Sequence, residues 1–491
     1  MTLVRIALCF ALATTGLTVA GCNGSGSSPG DGTPPPPPPS ESPPSVQVSC
    51  PGSGTVTITS GTQIPVLPTF PNVNPQTIET IQCGFDAFSW NSFLALNHSP
   101  SGEFGNQDGD NTTVWESWPE ASDIFLADGA QPASWPSGDP PPDREIPAAC
   151  QGVGESGTRV IRQVGKRPDV LEETDEPFQS GPLVDVNGYY SRFEIVVNQE
   201  MYNYILDNTL YSKAGQATFA TAGNPVSFPC ACDADPSGSK CTEGGQEGAM
   251  MIKAAWKVLD TDAGDDPTTF HTAQALIYTP PTGDSPESCE SRLMGLVGFH
   301  IGHKTQPSPQ WIWSTFEQVA NVPTEGETIP DGARYNYYQP NCSDCGPVNE
   351  PPPQPWNPHD EPVSDNKDKS QVERAIALTD ATITMNDAVQ GILGDTVWQH
   401  YQLISTQWPT NASGATASSP DAQNGWCDAL NATDLSGAPA PTFLANTTLE
   451  TYIQGTVPQA SSSCIHCHLN ATTTTVENNF SDFTYLLERA Q

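Results

Sequence analysis

The stretch PLVDVNGYYSRFEIVV, Pro182 to Val197, decides how the fold is read. It sets Asn187-Gly188 between two runs rich in β-branched and aromatic residues, and Asn-Gly is the strongest short-range hairpin signal because both residues accept positive φ. Asn198 follows directly and reads as the N-cap of a helix that runs to about Asn208. Downstream come four strand-like runs: AMMIKAAWKVL (Ala249 to Leu259), FHTAQALIY (Phe270 to Tyr278), RLMGLVGFHIGH (Arg292 to His303) and QWIWSTFEQV (Gln310 to Val319). Such runs, separated by turn residues, predict an antiparallel sheet closed as a sandwich or barrel. Upstream, Val56 to Thr59 alternates as a short strand, and FDAFSWNSFLALN, Phe85 to Asn97, spaces Phe85, Phe88, Phe93 and Leu96 as a buried helix would. Between Ser99 and Asp175, Pro, Gly, Asp and Ser dominate and predict long loops.

The β-rich body is therefore expected over 46–345. Residues 346–369, which include PPPQPW, read as a linker or long surface crossing. Past it the period changes, with Ile383, Val389, Ile392, Leu393, Val397, Tyr401 and Ile404 at helical spacing and Gly394 as an interruption. A last amphipathic turn carries Phe483, Leu486 and Leu487. The fold class expected is α+β, an antiparallel body followed by a mainly helical C-terminal segment over 370–491. The chain has no P-loop, dinucleotide fingerprint, HExxH or GxSxG motif and no internal repeat.

The N-terminal 21 residues have one basic residue, Arg5, then an apolar run to Val19 that ends in small residues, the build of a secretory signal. Val19-Ala20-Gly21-Cys22 resembles the lipobox of bacterial lipoproteins, which implies acylation of Cys22 and an N-terminal membrane anchor. Residues 22–45 are Gly/Ser-rich and then hold the proline run Pro34 to Pro39, as an extended tether without a core would. By the same resemblance, Asn23 after the cysteine implies sorting to the outer membrane.

The 56 acidic against 18 basic residues, a formal net charge of −38, point away from a nucleic-acid or anionic-lipid surface and toward basic partners, while a charge this large reads as a solubility or salt adaptation ahead of a specific acidic docking face. Of the 14 cysteines, Cys9 belongs to the signal, Cys22 to the lipobox, and Cys464 and Cys467 to a motif. The remainder are Cys50, Cys83, Cys150, Cys230, Cys232, Cys241, Cys289, Cys342, Cys345 and Cys427, an even set expected to pair as disulfides in an exported protein. Cys342 and Cys345, in a Pro/Asn-rich loop, read as a structural staple ahead of a redox-active pair.

Cys464-Ile465-His466-Cys467-His468 is a C-x-x-C-H motif. Two thiols at this spacing can form thioethers to the two vinyl groups of one haem, and the adjacent histidine presents an imidazole to the iron. A plain Cys464–Cys467 disulfide, or a zinc site that adds His466 or His468, are the competing readings. Over this pentapeptide the chain resembles the bacterial cytochrome c family, and FSWNSFLALN, VGFHIGHKT and PQWIWSTFEQV ahead of a terminal motif look like large exported bacterial proteins of this kind. The resemblance implies one haem c, bound through Cys464 and Cys467 with His468 as the proximal iron ligand. In the family's small single-haem domain the motif opens the fold and a downstream Met takes the other iron face. Here no residue from Leu469 to Gln491 is Met or His, so the distal ligand is sought upstream among His98, His271, His300, His303, His359, His400, Met294 and Met385. Strict alternation along Arg292 to His303 places Met294, Leu296, Gly298, His300 and Gly302 on one side. His300, flanked by two glycines that would admit a flat macrocycle, is the favoured partner, giving bis-histidine ligation with His468. The expected function is electron transfer to another exported redox protein by a membrane-tethered, periplasmic or surface cytochrome. A haem-dependent oxidoreductase of peroxidase type and a structural or binding lipoprotein are the alternatives.

Overall fold

The computed structural model describes residues 43–74, 77–99, 112–135, 146–154, 159–161, 181–223, 225–232, 246–283, 285–305, 308–394, 396–410, 439–455, 462–474 and 480–491. The residues read as a secretory signal, Cys22 and the proline run lie outside the described residues. Two short strands, β1 (Ser45–Ser49) and β2 (Thr55–Thr59), form an antiparallel hairpin, and a disulfide from Cys50 to Cys83 ties it to helix α1 (Ile78–Leu96). The Thr77 side chain caps α1 by accepting from the Thr80 N–H.

A mixed, mainly antiparallel sheet of eight strands forms the body: β3 (Arg159–Ile161), β4 (Arg192–Val197), β5 (Met250–Val258), β6 (Thr272–Thr279), β7 (Ser288–Thr305), β8 (Ser308–Gln318), β9 (Tyr401–Pro409) and β10 (Pro439–Ala440). Its main path runs β10-β9-β8-β7-β5-β4. The long β7 pairs with β6 along its first half and with β8 along its second, and β3 joins β6 in parallel. The hairpin expected at Asn187-Gly188 forms as a turn rather than a two-stranded ribbon. Val184 bridges Tyr190, the Gly188 N–H donates to the Asp185 carbonyl, and Gly188 takes φ 93°. A Cβ on Gly188 would lie 2.2 Å from the Val363 carbonyl oxygen, so this position requires glycine on space as well as φ. The Asn198 side chain caps α3 (Gln199–Asp207) by accepting from the Met201 N–H, and α4 (Lys213–Thr221) follows. The single turn α2 (Ala121–Ile124) comes earlier in the chain, between α1 and β3.

One face of the sheet is covered by α1 and α5 (Asp380–Leu393), which meet where the Trp90 indole N–H donates to the Asn386 side chain (3.1 Å). Trp90, Phe93, Ile252, Phe299, Ile301, Phe316 and Tyr401 fill the core between them. Polar residues also cross this layer. Ser89 Oγ lies 2.6 Å from Ser314 Oγ and 2.5 Å from Thr406 Oγ1, and Gln82 donates to Asp86 (2.9 Å). Burial pushes the Asp86 carboxyl up to about 6, above its ordinary value near 4. The folded state thus holds a proton that the unfolded state has released, so Asp86 weakens the fold increasingly as pH rises from about 4 through 6. Asp86→Asn is expected to stabilise the protein at pH 8 by at most about 3 kcal/mol and to have no effect near pH 3.5. Urea melts at the two pH values check this; equal shifts at both would refute it.

The opposite face packs under α3, α4 and the C-terminal residues, with Trp311, Trp313, Met251, Ile465, Phe483 and Leu487 in one cluster and Val297, Ala255, Phe193 and Tyr337 in another. Strict alternation along β7 does not hold. The β5 register steps between Ala255 and Trp256, leaving Val297 as an extra residue, a β-bulge. Met294 and Leu296 therefore share the α1 core with Phe299 and Ile301, whereas Gly298, His300 and Gly302 belong to the opposite face.

The mainly helical segment expected over 370–491 is not found among the described residues. It contains α5, the five-residue α6 (Cys464–His468) and short 3-10 turns, but Tyr401–Pro409 is a strand inside the main sheet. The physical reason is a second bulge. Thr315 pairs with Ser405 and Phe316 with Leu403, so Ile404 is the extra residue, and it places apolar side chains three apart as a helix would.

Several basic side chains lie inside, each against a carboxylate. Arg159 reaches Glu116 (2.8 Å) and Glu194 (2.9 Å), Lys257 reaches Asp265 (2.9 Å), and Arg374 reaches Glu317 (2.7 Å). Arg192 pairs with Glu361 and Lys304 with Asp482. Disulfides link Cys150 to Cys289 and, as the expected staple, Cys342 to Cys345; Cys230 and Cys232 are disulfide-bonded as well.

Candidate functional site

Cys464, Cys467 and His468 sit on α6, which packs on the ends of β8 and β9. So short a helix has little stability of its own and is held by its surroundings. The Ser463 hydroxyl accepts from the His466 N–H, and the side-chain amide oxygen Oε1 of Gln407, from β9, accepts from the Ile465 N–H (2.9 Å) and from the Ser463 hydroxyl (3.2 Å). Ile465 is the buried anchor of the turn, while Cys464, Cys467 and His468 are half-buried. At i and i+3 the two sulfurs emerge from one side of the helix.

His468 Nδ1 lies 2.8 Å from the Phe483 carbonyl oxygen. A carbonyl only accepts, so Nδ1 carries the proton and donates, which leaves Nε2 as the ring's lone-pair nitrogen. The imidazole packs between two aromatic rings, Trp313 of β8 at 4.3 Å and Tyr485 at 5.4 Å between centroids. The Tyr485 hydroxyl also donates to the Cys467 carbonyl (2.8 Å), so residues 480–487 wrap the motif. This donor set suits a covalent haem c: two thiols one helical turn apart, and an imidazole oriented through its far nitrogen in the way that metal-bound histidines generally are. Among the described residues no three His, Cys, Asp or Glu side chains cluster as a metal ion would require.

The other histidines have separate surroundings. His300 stands over the same face of the sheet as His468, since it pairs with Thr315, two residues along β8 from Trp313. Its Nε2 lies 3.3 Å from Glu450. The room expected above the flanking glycines is taken by the protein itself: a Cβ on Gly298 would lie 2.0 Å from Thr448 Oγ1, and one on Gly302 3.0 Å from Met251. His303 faces α1, where its ring stacks on Phe88 and Nε2 bonds the Glu247 carbonyl (2.7 Å); burial lowers its pKa to about 4. His271 contacts Glu116 (3.2 Å) and stacks on Trp398 in the same layer, where Met294 and Met385 are also buried. The sheet thus separates His303, His271 and both methionines from α6. His359 bonds the Pro280 carbonyl (2.8 Å).

The loop 446–450 adjoins His300 and is riveted to β8. Glu317 accepts from the Thr447 N–H (2.6 Å) and hydroxyl (2.6 Å) while Arg374 chelates the same carboxylate, and Asn446 donates to Thr315 and to the Phe316 carbonyl. The Leu444 N–H donates to the Ser462 carbonyl, which carries this anchorage to the start of α6. The sequence reading assigned Trp313, Gln407, Phe483 and Tyr485 no part in the site. Their role is spatial, and the only cue was that the motif is followed by a short aromatic stretch. Comparison of the chain with family models, with curated proteins and with solved structures returns no match.

Proposed function

We propose that this chain is an exported, membrane-tethered c-type cytochrome that carries one haem and passes electrons to another exported redox protein. The observation that supports it most is the hydrogen bond from His468 Nδ1 to the Phe483 carbonyl beside two thiols on one helical turn. That orientation has no evident use in a plain disulfide, whereas a hydrogen bond from the far ring nitrogen is what holds a ligating imidazole in place. When bound, haem supplies one-electron redox chemistry. Cys464 and Cys467 would hold it by thioethers and His468 would bind the iron through Nε2, with Trp313 and Tyr485 packed against the imidazole. The acidic surface favours a partner that docks through a basic face. Covalent haem staining after denaturing electrophoresis is expected for the wild type, from cells competent in cytochrome c maturation. It should vanish in Cys464→Ala/Cys467→Ala. An unstained wild-type band would overturn the reading.

The anchor belongs to the same proposal. With Cys22 acylated, the protein fractionates with membranes, and Cys22→Ser is expected to move it to the soluble periplasmic or extracellular fraction. Wild-type protein recovered soluble with an ordinary cleaved N-terminus would refute the anchor and leave the haem reading standing.

A further inference from the structure

Asp482 and Phe483 both have positive φ, 53° and 63°. For residues other than glycine this backbone is costly and persists only where surrounding contacts impose it. Here the consequence of the unusual turn is local and specific, because the Phe483 carbonyl is the acceptor for His468 Nδ1. The contacts that impose it converge on Asp482. Its carboxylate accepts from the Phe228 N–H (2.7 Å) and pairs with the Lys304 ammonium, and its carbonyl accepts from the Trp311 indole N–H (3.0 Å). The preceding Ser481 N–H donates to the Ala471 carbonyl (3.0 Å), closing the loop that follows α6.

Lys304 is the unexpected member. It lies near the end of the central strand β7 and is 0% exposed, and its other polar contact is Ser227 at 3.4 Å. Sheet packing gives no reason to bury an ammonium group, and desolvating one costs several kcal/mol unless a well-placed counter-ion offsets it. Asp482 is that counter-ion, and it sits in the turn that presents the Phe483 carbonyl.

We propose that the buried Lys304–Asp482 pair is a positioning device for His468: it clamps the 482–483 turn, and so sets how strongly the Phe483 carbonyl holds the Nδ1 proton. The inference rests on the haem reading. A firm acceptor on Nδ1–H makes the imidazole a stronger donor to iron and favours the ferric state, and a loosened one does the reverse. Lys304 and Asp482 touch neither the motif cysteines nor Nε2, so they act through the carbonyl alone.

The test uses full-length protein matured with haem, comparing wild type with Asp482→Asn, Lys304→Met, Lys304→Arg and Trp311→Phe. Haem stain, midpoint potential and thermal melting are measured for each. Covalent haem should be retained throughout. The potential should rise in Asp482→Asn and Lys304→Met, rise no further in the double variant Asp482→Asn/Lys304→Met, rise less in Trp311→Phe, and return toward wild type in Lys304→Arg. Lower melting points with haem retained and potentials unchanged would mean the pair is only structural, and the inference would fall while the haem reading stood. Should the charge variants not fold, Trp311→Phe decides, since it deletes one hydrogen bond to the same turn and leaves both charges paired. An unstained wild type would overturn the haem reading itself, and this inference with it.

Discussion

Arg374→Met is expected to destabilise the protein by about 3–5 kcal/mol, the usual cost of leaving one partner of a buried ion pair uncompensated. Glu317 is 0% exposed, and both of its oxygens are engaged by Arg374 and by Thr447. With the guanidinium gone, the carboxylate must either stay charged without its cation or take up a proton and lose acceptors. The double variant Arg374→Met/Glu317→Gln should recover a large part of the loss, because a neutral amide removes the stranded charge. Urea unfolding of wild type, Arg374→Met, Glu317→Gln and the double variant gives the coupling energy directly. The damage should also spread in one direction. Thr447 and Asn446 moor the loop that leads, through the Leu444 to Ser462 hydrogen bond, to α6. Amide exchange around 462–468 should therefore accelerate in Arg374→Met and stay slow around α1. Exchange that changes equally on both faces would show that the rivet is not local.

Trp90→Ala is expected to cost a comparable 3–5 kcal/mol, through the opposite face of the sheet. The indole is fully buried and meets Phe93 and Phe316 edge-on, at 5.6 and 5.0 Å between centroids. Its N–H donates to Asn386, whose amide in turn spans the Leu403 backbone of β9. Truncation leaves a cavity and also frees Asn386, so the joint between α1, α5 and the sheet loosens at one point. Trp90→Phe refills most of the volume without the N–H and separates the two losses. It should fall between wild type and Trp90→Ala, nearer to wild type if packing dominates. A loss below about 1 kcal/mol for Trp90→Ala would contradict the packing described.

The strands of the body were legible because their residues are apolar on both faces and bounded by turn signals. Ala249 to Leu259, Phe270 to Tyr278, Arg292 to His303 and Gln310 to Val319 correspond in order to β5, β6, β7 and β8, with the ends displaced by a few residues. The helix caps at Asn198 and the hairpin turn at Gly188 were equally readable, since each rests on local chemistry. What pattern could not supply was the effect of a single inserted residue. At Val297 a bulge returns Met294 and Leu296 to the α1 core, and at Ile404 another makes a strand imitate helical spacing. Both depend on the register of a neighbouring strand. The motif at Cys464, Cys467 and His468 was visible as chemistry, but its setting was not. The acceptor for His468 is a main-chain carbonyl, which carries no residue-type signal at all, and the glycines beside His300 make room for the protein's own Thr448 and Met251 rather than for a ligand.

The internal ion pairs also shape what the protein presents to its surroundings. Arg192, Lys257, Lys304 and Arg374 are all buried, with Arg159 nearly so, out of only 18 Lys and Arg in the chain. Because each is neutralised within, the net charge is unaltered, but the exterior is stripped of the cations that would break up its anionic field. The result approaches a single-signed shell cloaked in counter-ions. Beyond about 8 Å at physiological ionic strength that cloak hides it, so the shell acts at the last moment of an encounter. There it speeds the docking of a cationic face, whose arrival sets the counter-ions free, and it turns polyanions away before any shape is compared.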